Sequence, residues 1–116
     1  MNILVADNDA DIRDVTAQFL VRRGWAVTTV TSGVEASSVL DSEDFDIAVL
    51  DQNMPPGSGL QVAAERRQAG DAIPIVLWTG WAGTLDDDEV GRLGVHVLNK
   101  ADVRKLSSLL EELVAS

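Results

Sequence analysis

Cysteine is absent from the sequence, which excludes disulfides and thiolate metal sites and leaves the redox compartment open, though compatible with the cytosol. Basic residues are scarce. Nine Lys and Arg face nineteen Asp and Glu, for a formal net charge of −10. Phosphate groups are gripped by clustered Lys and Arg, so direct binding to nucleic acid or to an anionic membrane is not expected. No apolar run approaches the roughly 20 residues that a membrane-spanning helix needs. From Met1 the chain runs straight into Ile3-Leu4-Val5, without a basic region or cleavage site. A secretory signal is therefore not expected, and a cytoplasmic setting is. The first strand-to-helix turn holds Asp7-Asn8-Asp9-Ala10 rather than a glycine-rich nucleotide loop.

What remains is an ordinary globular composition. The 116 residues are 46% apolar and 24% charged, enough for one domain with a real core. Asn2 to Ala6 reads as a buried strand, Trp25 to Val30 as a second and Phe45 to Leu50 as a third. Ile73 to Trp78 and Val95 to Asn99 read as the fourth and fifth. From Ala10 to Arg23, Ile12, Val15, Phe19 and Leu20 recur at helical spacing, and Gly24 is the stop. Ser32-Gly33-Val34-Glu35 and Ser58-Gly59-Leu60-Gln61 have capping spacing and open two further helices, closing near Asp41 and at Gly70. Thr84 is the candidate cap of a short acidic helix that Gly94 ends. Val103, Leu106, Leu110 and Leu113 give the last helix one apolar face. Five βα units with short connections and no internal repeat predict a single domain over residues 1–116. Its fold class is α/β: a doubly wound, five-stranded parallel sheet of order 2-1-3-4-5, flavodoxin-like (βα)5.

The chemistry lies where the strands end. In that order the first, third, fourth and fifth strands have adjacent carboxyl ends, at Asp7-Asn8-Asp9, Asp51, Thr79 and Lys100. Carboxylates, a hydroxyl and an ammonium therefore converge on one crevice. Asp51 is its centre, because the apolar run Ile47-Ala48-Val49-Leu50 stops on it and the cluster Pro55-Pro56-Gly57-Ser58-Gly59 turns the chain away. A carboxylate nucleophile, oxygen ligands for a hard cation and fixed donors for phosphoryl oxygens form the set that phosphoryl transfer to a carboxylate requires.

The arrangement Asp51-x-x-Met54-Pro55-x-x-x-Gly59 resembles the phosphoacceptor loop of receiver domains from bacterial two-component response regulators. The resemblance covers the whole chain. Ile3-Leu4-Val5 leading into Asp7, Ile12-Arg13, Ile73-Pro74-Ile75-Val76 leading to Thr79, and Lys100 stand in the family's order. It implies a phosphoprotein of a two-component system, in which Asp51 accepts a phosphoryl group from a histidine kinase or histidine phosphotransfer protein. It implies Mg²⁺ held by Asp7, Asp51 and the backbone carbonyl of Asn53, with the Asn8 side-chain oxygen as a further candidate. Thr79 would then hydrogen-bond the phosphoryl group and Lys100 would pair with it. Such a domain is not an enzyme in the usual sense, although it supports its own phosphoryl transfer and dephosphorylation. The signal would pass by contact to a downstream protein or to an output domain outside this sequence, from a monomer or weak homodimer.

Three departures from the family pattern bear on function. Asn8 stands where a second adjacent acid is usual, so metal affinity is expected to be lower. Ala101 replaces the proline after the lysine, and a non-proline cis bond costs roughly 3–4 kcal/mol, so a trans bond is expected there. Val97 occupies the aromatic switch position, which moves the expected output to Gly80 through Thr84 and the acidic helix. These departures keep open a receiver-like binding module that signals without phosphorylation. A small hydrolase with Asp51 as nucleophile is the other rival, disfavoured by the absence of an evident general acid. Asp9 reads as a helix N-cap, Asp86-Asp87-Asp88-Glu89 as acids complementing a helix dipole, His96 as an exposed strand residue and Trp78 as core. Trp81 reads equally as a cover over the phosphoryl site or as part of an outward partner patch.

Overall fold

A computed structural model describes residues 1–80, 85–100 and 103–115. Trp81, Thr84 and Ala101 lie outside the described residues. Strands and helices alternate: β1 (Asn2–Ala6), α1 (Ala10–Arg22), β2 (Ala26–Val30), α2 (Gly33–Ser42), β3 (Ile47–Leu50), α3 (Gly59–Gln68), β4 (Ile75–Thr79), α4 (Asp87–Leu93), β5 (His96–Asn99) and α5 (Val103–Ala115). All neighbouring strands are parallel and the order is β2-β1-β3-β4-β5, as the alternation predicts.

Strand period and helix phase together sort the core into two layers. Apart from the exposed Asn2 that opens β1 and the Thr79 that ends β4, every residue of β1, β3 and β4 is apolar, because both faces of a parallel sheet are covered. Leu4, Leu50, Ile75 and Leu77 point to one side, against Leu40 of α2, Val62 and Ala63 of α3, and Leu93 of α4. Ile3, Val5, Val49, Val76 and Trp78 point to the other, against Leu20 of α1 and Leu106 and Leu110 of α5. Trp78 is thus core, and His96 is exposed as expected.

The caps that start the helices are mostly legible. Asp9 accepts from the N–H groups of Asp11 and Ile12 at 3.0 and 3.2 Å, and Ser32 and Ser58 accept from those of Glu35 and Gln61. Two expectations need correction. The cap of α4 is Asp86, not Thr84, since its side chain accepts from Asp88 and Glu89 at 2.9 and 3.4 Å. On α1, Val15 is 59% exposed while Thr16 is buried. One residue is 100° of helix, so the buried stripe runs through Thr16 and Leu20 instead of Val15.

Candidate functional site

The site forms because β1, β3 and β5 deliver their last residues to one end of the sheet. Asp51 follows β3 directly, its N–H donating to Ala6 O at 2.9 Å as a continuation of the ladder. Asp7 follows β1, with its N–H on Val30 O at 3.2 Å. Its backbone carbonyl accepts from Arg13 Nη1 at 3.0 Å, and its Oδ1 accepts from the Asp9 N–H at 2.9 Å. Asp7 is 1% exposed and Asp51 7%. Two buried carboxylates so close together need a cation. Lys100, just past β5, supplies one: its Nζ is 2.5 Å from Asp7 Oδ2 and 3.1 Å from Asp51 Oδ2.

Beside this triad opens a cleft of about 250 Å³ lined by Asn8, Asp9, Ile12, Asp51, Asn53, Gly80 and Lys100. Of the residues singled out in the sequence, Asp7, Asp51 and Lys100 are joined directly, and Asn8 and Asn53 face the same cleft. Thr79 ends β4 next to β3, fully buried, with its carbonyl accepting from the Lys100 N–H at 3.2 Å. Gly80, the next residue, carries β4 into the cleft wall. Gln52 is the site residue that sequence reasoning passed over, and the bond from Arg13 to the Asp7 carbonyl was not foreseen either; only side-chain contacts reveal them.

Burial pushes the Asp51 carboxyl above its ordinary value, and the Asp7 carboxylate adds to that. The Lys100 ammonium and the Asn53 N–H pull the other way without cancelling it. A buried carboxylate with a poorly compensated charge is poised to gain from a second cation or from covalent capping. The donor set suits Mg²⁺, which takes one or two carboxylates and keeps several waters. Asp7, Asp51 and the Asn53 carbonyl can supply those oxygens, and an ammonium already bridges the same two carboxylates. Among the described residues no cluster of three or more His, Cys, Asp or Glu forms a denser metal site.

The acceptor loop is held rigidly from behind. Gly59 N–H donates to Gln52 O at 3.2 Å, and Asn53 bridges Ser58. A Cβ at Gly59 would stand 2.7 Å from Leu77 Cδ2 and 2.8 Å from the Asp51 backbone oxygen. Gly59→Ala should therefore cost about 1–3 kcal/mol in urea unfolding, the range for overpacking a filled site. A loss below about 0.5 kcal/mol, the scale of a neutral surface change, would show that the loop yields without strain.

Comparison with known proteins follows the same line. The family model described as response regulator receiver domain matches residues 3–109. Transcriptional regulatory protein TctD of Salmonella typhimurium is 35% identical over 86 residues, 74% of this chain and 38% of its own length. Response regulator SaeR of Staphylococcus aureus is 37% identical over 89 residues, 77% of this chain and 38% of its own. The chain thus spans less than two-fifths of the curated relatives it matches. Among solved structures, response regulator TrrA of Thermotoga maritima in complex with Mg²⁺-BeF superposes with TM-score 0.87 at 28% identity, covering 97% of both chains. A Francisella response regulator receiver domain superposes at 0.89 with 23% identity, covering 97% and 94%, which speaks for the fold alone. No described helix is long and apolar enough to cross a membrane.

Proposed function

This chain belongs to the response regulator receiver domain family, and from that premise we propose that Asp51 takes a phosphoryl group from a phosphohistidine donor. The observation that carries the reading is the buried Asp51 carboxylate facing an open cleft, 3.1 Å from the Lys100 ammonium and beside Asp7. One Asp51 carboxylate oxygen bonds to phosphorus as the nitrogen–phosphorus bond of a histidine kinase or phosphotransfer protein breaks. Lys100 remains beside the new dianion, and Thr79 at the neighbouring strand end supplies a hydroxyl. Mg²⁺, held by Asp7, Asp51 and the Asn53 carbonyl, would neutralise phosphoryl charge when bound. A phosphoryl group brings roughly −1.5 to −2 charges, enough to rearrange the surrounding loops. The domain then acts in the cytoplasm through contact with a target protein or with an output domain of a longer regulator.

Incubation with acetyl phosphate and Mg²⁺, read by intact mass, should add one phosphoryl group. No addition from any phosphodonor would favour a module that signals unphosphorylated, a reading that Asn8 supports by thinning the acidic ligand set. Asn8 itself makes a separate prediction. It lines the cleft as a neutral side chain, so Asn8→Asp should bind Mg²⁺ about tenfold more tightly, ligand charge being a main control on oxygen sites. The same variant should be less stable without metal, because a third carboxylate joins Asp7 and Asp51. Calorimetric titration decides it. Equal affinities would remove Asn8 from the metal's surroundings.

A further inference from the structure

Gln52 is half-buried and points away from the cleft, toward the start of α3. Its side-chain oxygen accepts from the Leu60 N–H at 2.9 Å, while its backbone oxygen accepts from the Gly59 N–H at 3.2 Å. One residue thereby satisfies two successive orphan donors in the first turn of α3, alongside the Ser58 cap on Gln61. The consequence falls on the next peptide plane. A trans peptide holds its C=O and N–H antiparallel, so anchoring the Gln52 carbonyl on α3 turns the Asn53 N–H the opposite way. That N–H acts on the Asp51 carboxylate, drawing its pKa down against the effect of burial.

The geometry points to Gln52 as a positioning residue for phosphoryl transfer: its amide clamps the acceptor loop to α3 and so keeps the Asn53 main chain aimed at Asp51. The clamp has the right stiffness around it. The Asp51 backbone oxygen lies against Gly59, Met54 is fully buried, and the Met54 carbonyl accepts from the Gly33 N–H of α2 at 3.0 Å. With both ends of the loop pinned and the Gln52 carbonyl held by the Gly59 N–H, the Gln52 side chain adds the second bond that keeps the 52–53 peptide plane against α3. The inference deepens the reading of Asp51 as acceptor and of the Asn53 carbonyl as metal ligand, and rests on it for its catalytic meaning.

The test compares the native chain with Gln52→Ala, which removes the acceptor oxygen, and Gln52→Glu, which retains one and places a negative charge favourably at a helix N-terminus. Amide exchange is followed residue by residue without metal. In Gln52→Ala the Leu60 and Asn53 amides should both exchange about tenfold faster, the factor carried by one net hydrogen bond, and Gln52→Glu should restore both. Faster exchange at Leu60 with Asn53 unchanged would make Gln52 a helix cap only and overturn the inference. Mg²⁺ titration supplies the second reading. Gln52→Ala should weaken Mg²⁺ several-fold and Gln52→Glu should not, whereas equal affinities would sever the clamp from the metal site. Failure of the native chain to bind Mg²⁺ would instead overturn the proposed metal function, while the exchange data still decide whether Gln52 aims Asn53.

Discussion

Asp51→Asn should lose phosphoryl uptake completely and yet be more stable than the native chain at neutral pH. The first effect follows from the nucleophile. An amide oxygen is far less nucleophilic than a carboxylate, and the other carboxylate that lines the cleft, Asp9, is engaged in capping α1. Asp7, the other buried acid, already holds Lys100 at 2.5 Å and the Asp9 N–H at 2.9 Å. The second effect follows from linkage. The folded state raises the Asp51 pKa, mainly by burial, above its unfolded value of 3.8. Folded protein therefore binds this proton more tightly than unfolded protein does. Stability falls as pH climbs from the unfolded value through the folded one, and is lowest once the carboxylate is ionised in both states. Replacing it with a neutral amide removes that penalty. The gain of Asp51→Asn should be largest at neutral pH and vanish below the unfolded pKa. Intact mass with acetyl phosphate and denaturation curves across pH measure the two effects separately. Phosphoryl label that survives the substitution would move the acceptor elsewhere, and a variant less stable at pH 7 would mean that the Lys100 contact outweighs burial.

Lys100→Met should produce the largest stability loss of any single change at the site. Asp7 and Asp51 are almost entirely out of solvent, and the Lys100 side chain, 14% exposed, is the ammonium bonded to both. Removing one partner of a buried ionic cluster leaves uncompensated charge, which costs about 3 kcal/mol or more. The apolar stem is conserved in Met, so packing is nearly unchanged and the loss reports charge. Two rescues distinguish this from a packing defect. Lowering the pH should recover stability as one carboxylate becomes protonated, and saturating Mg²⁺ should recover it by returning cationic charge to the same oxygens. A loss insensitive to both would place the role of Lys100 in packing. Phosphoryl uptake should also fall, since the ammonium that faces the developing dianion is gone.

Much of this protein was determined by its sequence alone. The doubly wound sheet was legible because every term in the argument is local: apolar runs with no polar alternation, helical spacing between them, and caps such as Asp9, Ser32 and Ser58 that satisfy N–H groups within three residues. Strand order and handed crossovers then place Asp7, Asp51, Thr79 and Lys100 at one end of the sheet. The phase of α1 escaped, because Val15 and Thr16 differ by only 100° around the helix and which one is buried is a packing outcome. Also beyond the sequence was the partner of Lys100. Asp7 lies 93 residues earlier on a strand that is not a neighbour of β5, and only the assembled sheet and the reach of the lysine stem put Nζ on both carboxylates. Gln52 was invisible for the same reason. Its chemistry is an ordinary amide until the fold sets the Leu60 N–H 2.9 Å from its oxygen. Backbone patterns repeat along the chain and can be read from it. Side-chain pairings depend on which surfaces meet, and the meeting is decided by the tertiary structure.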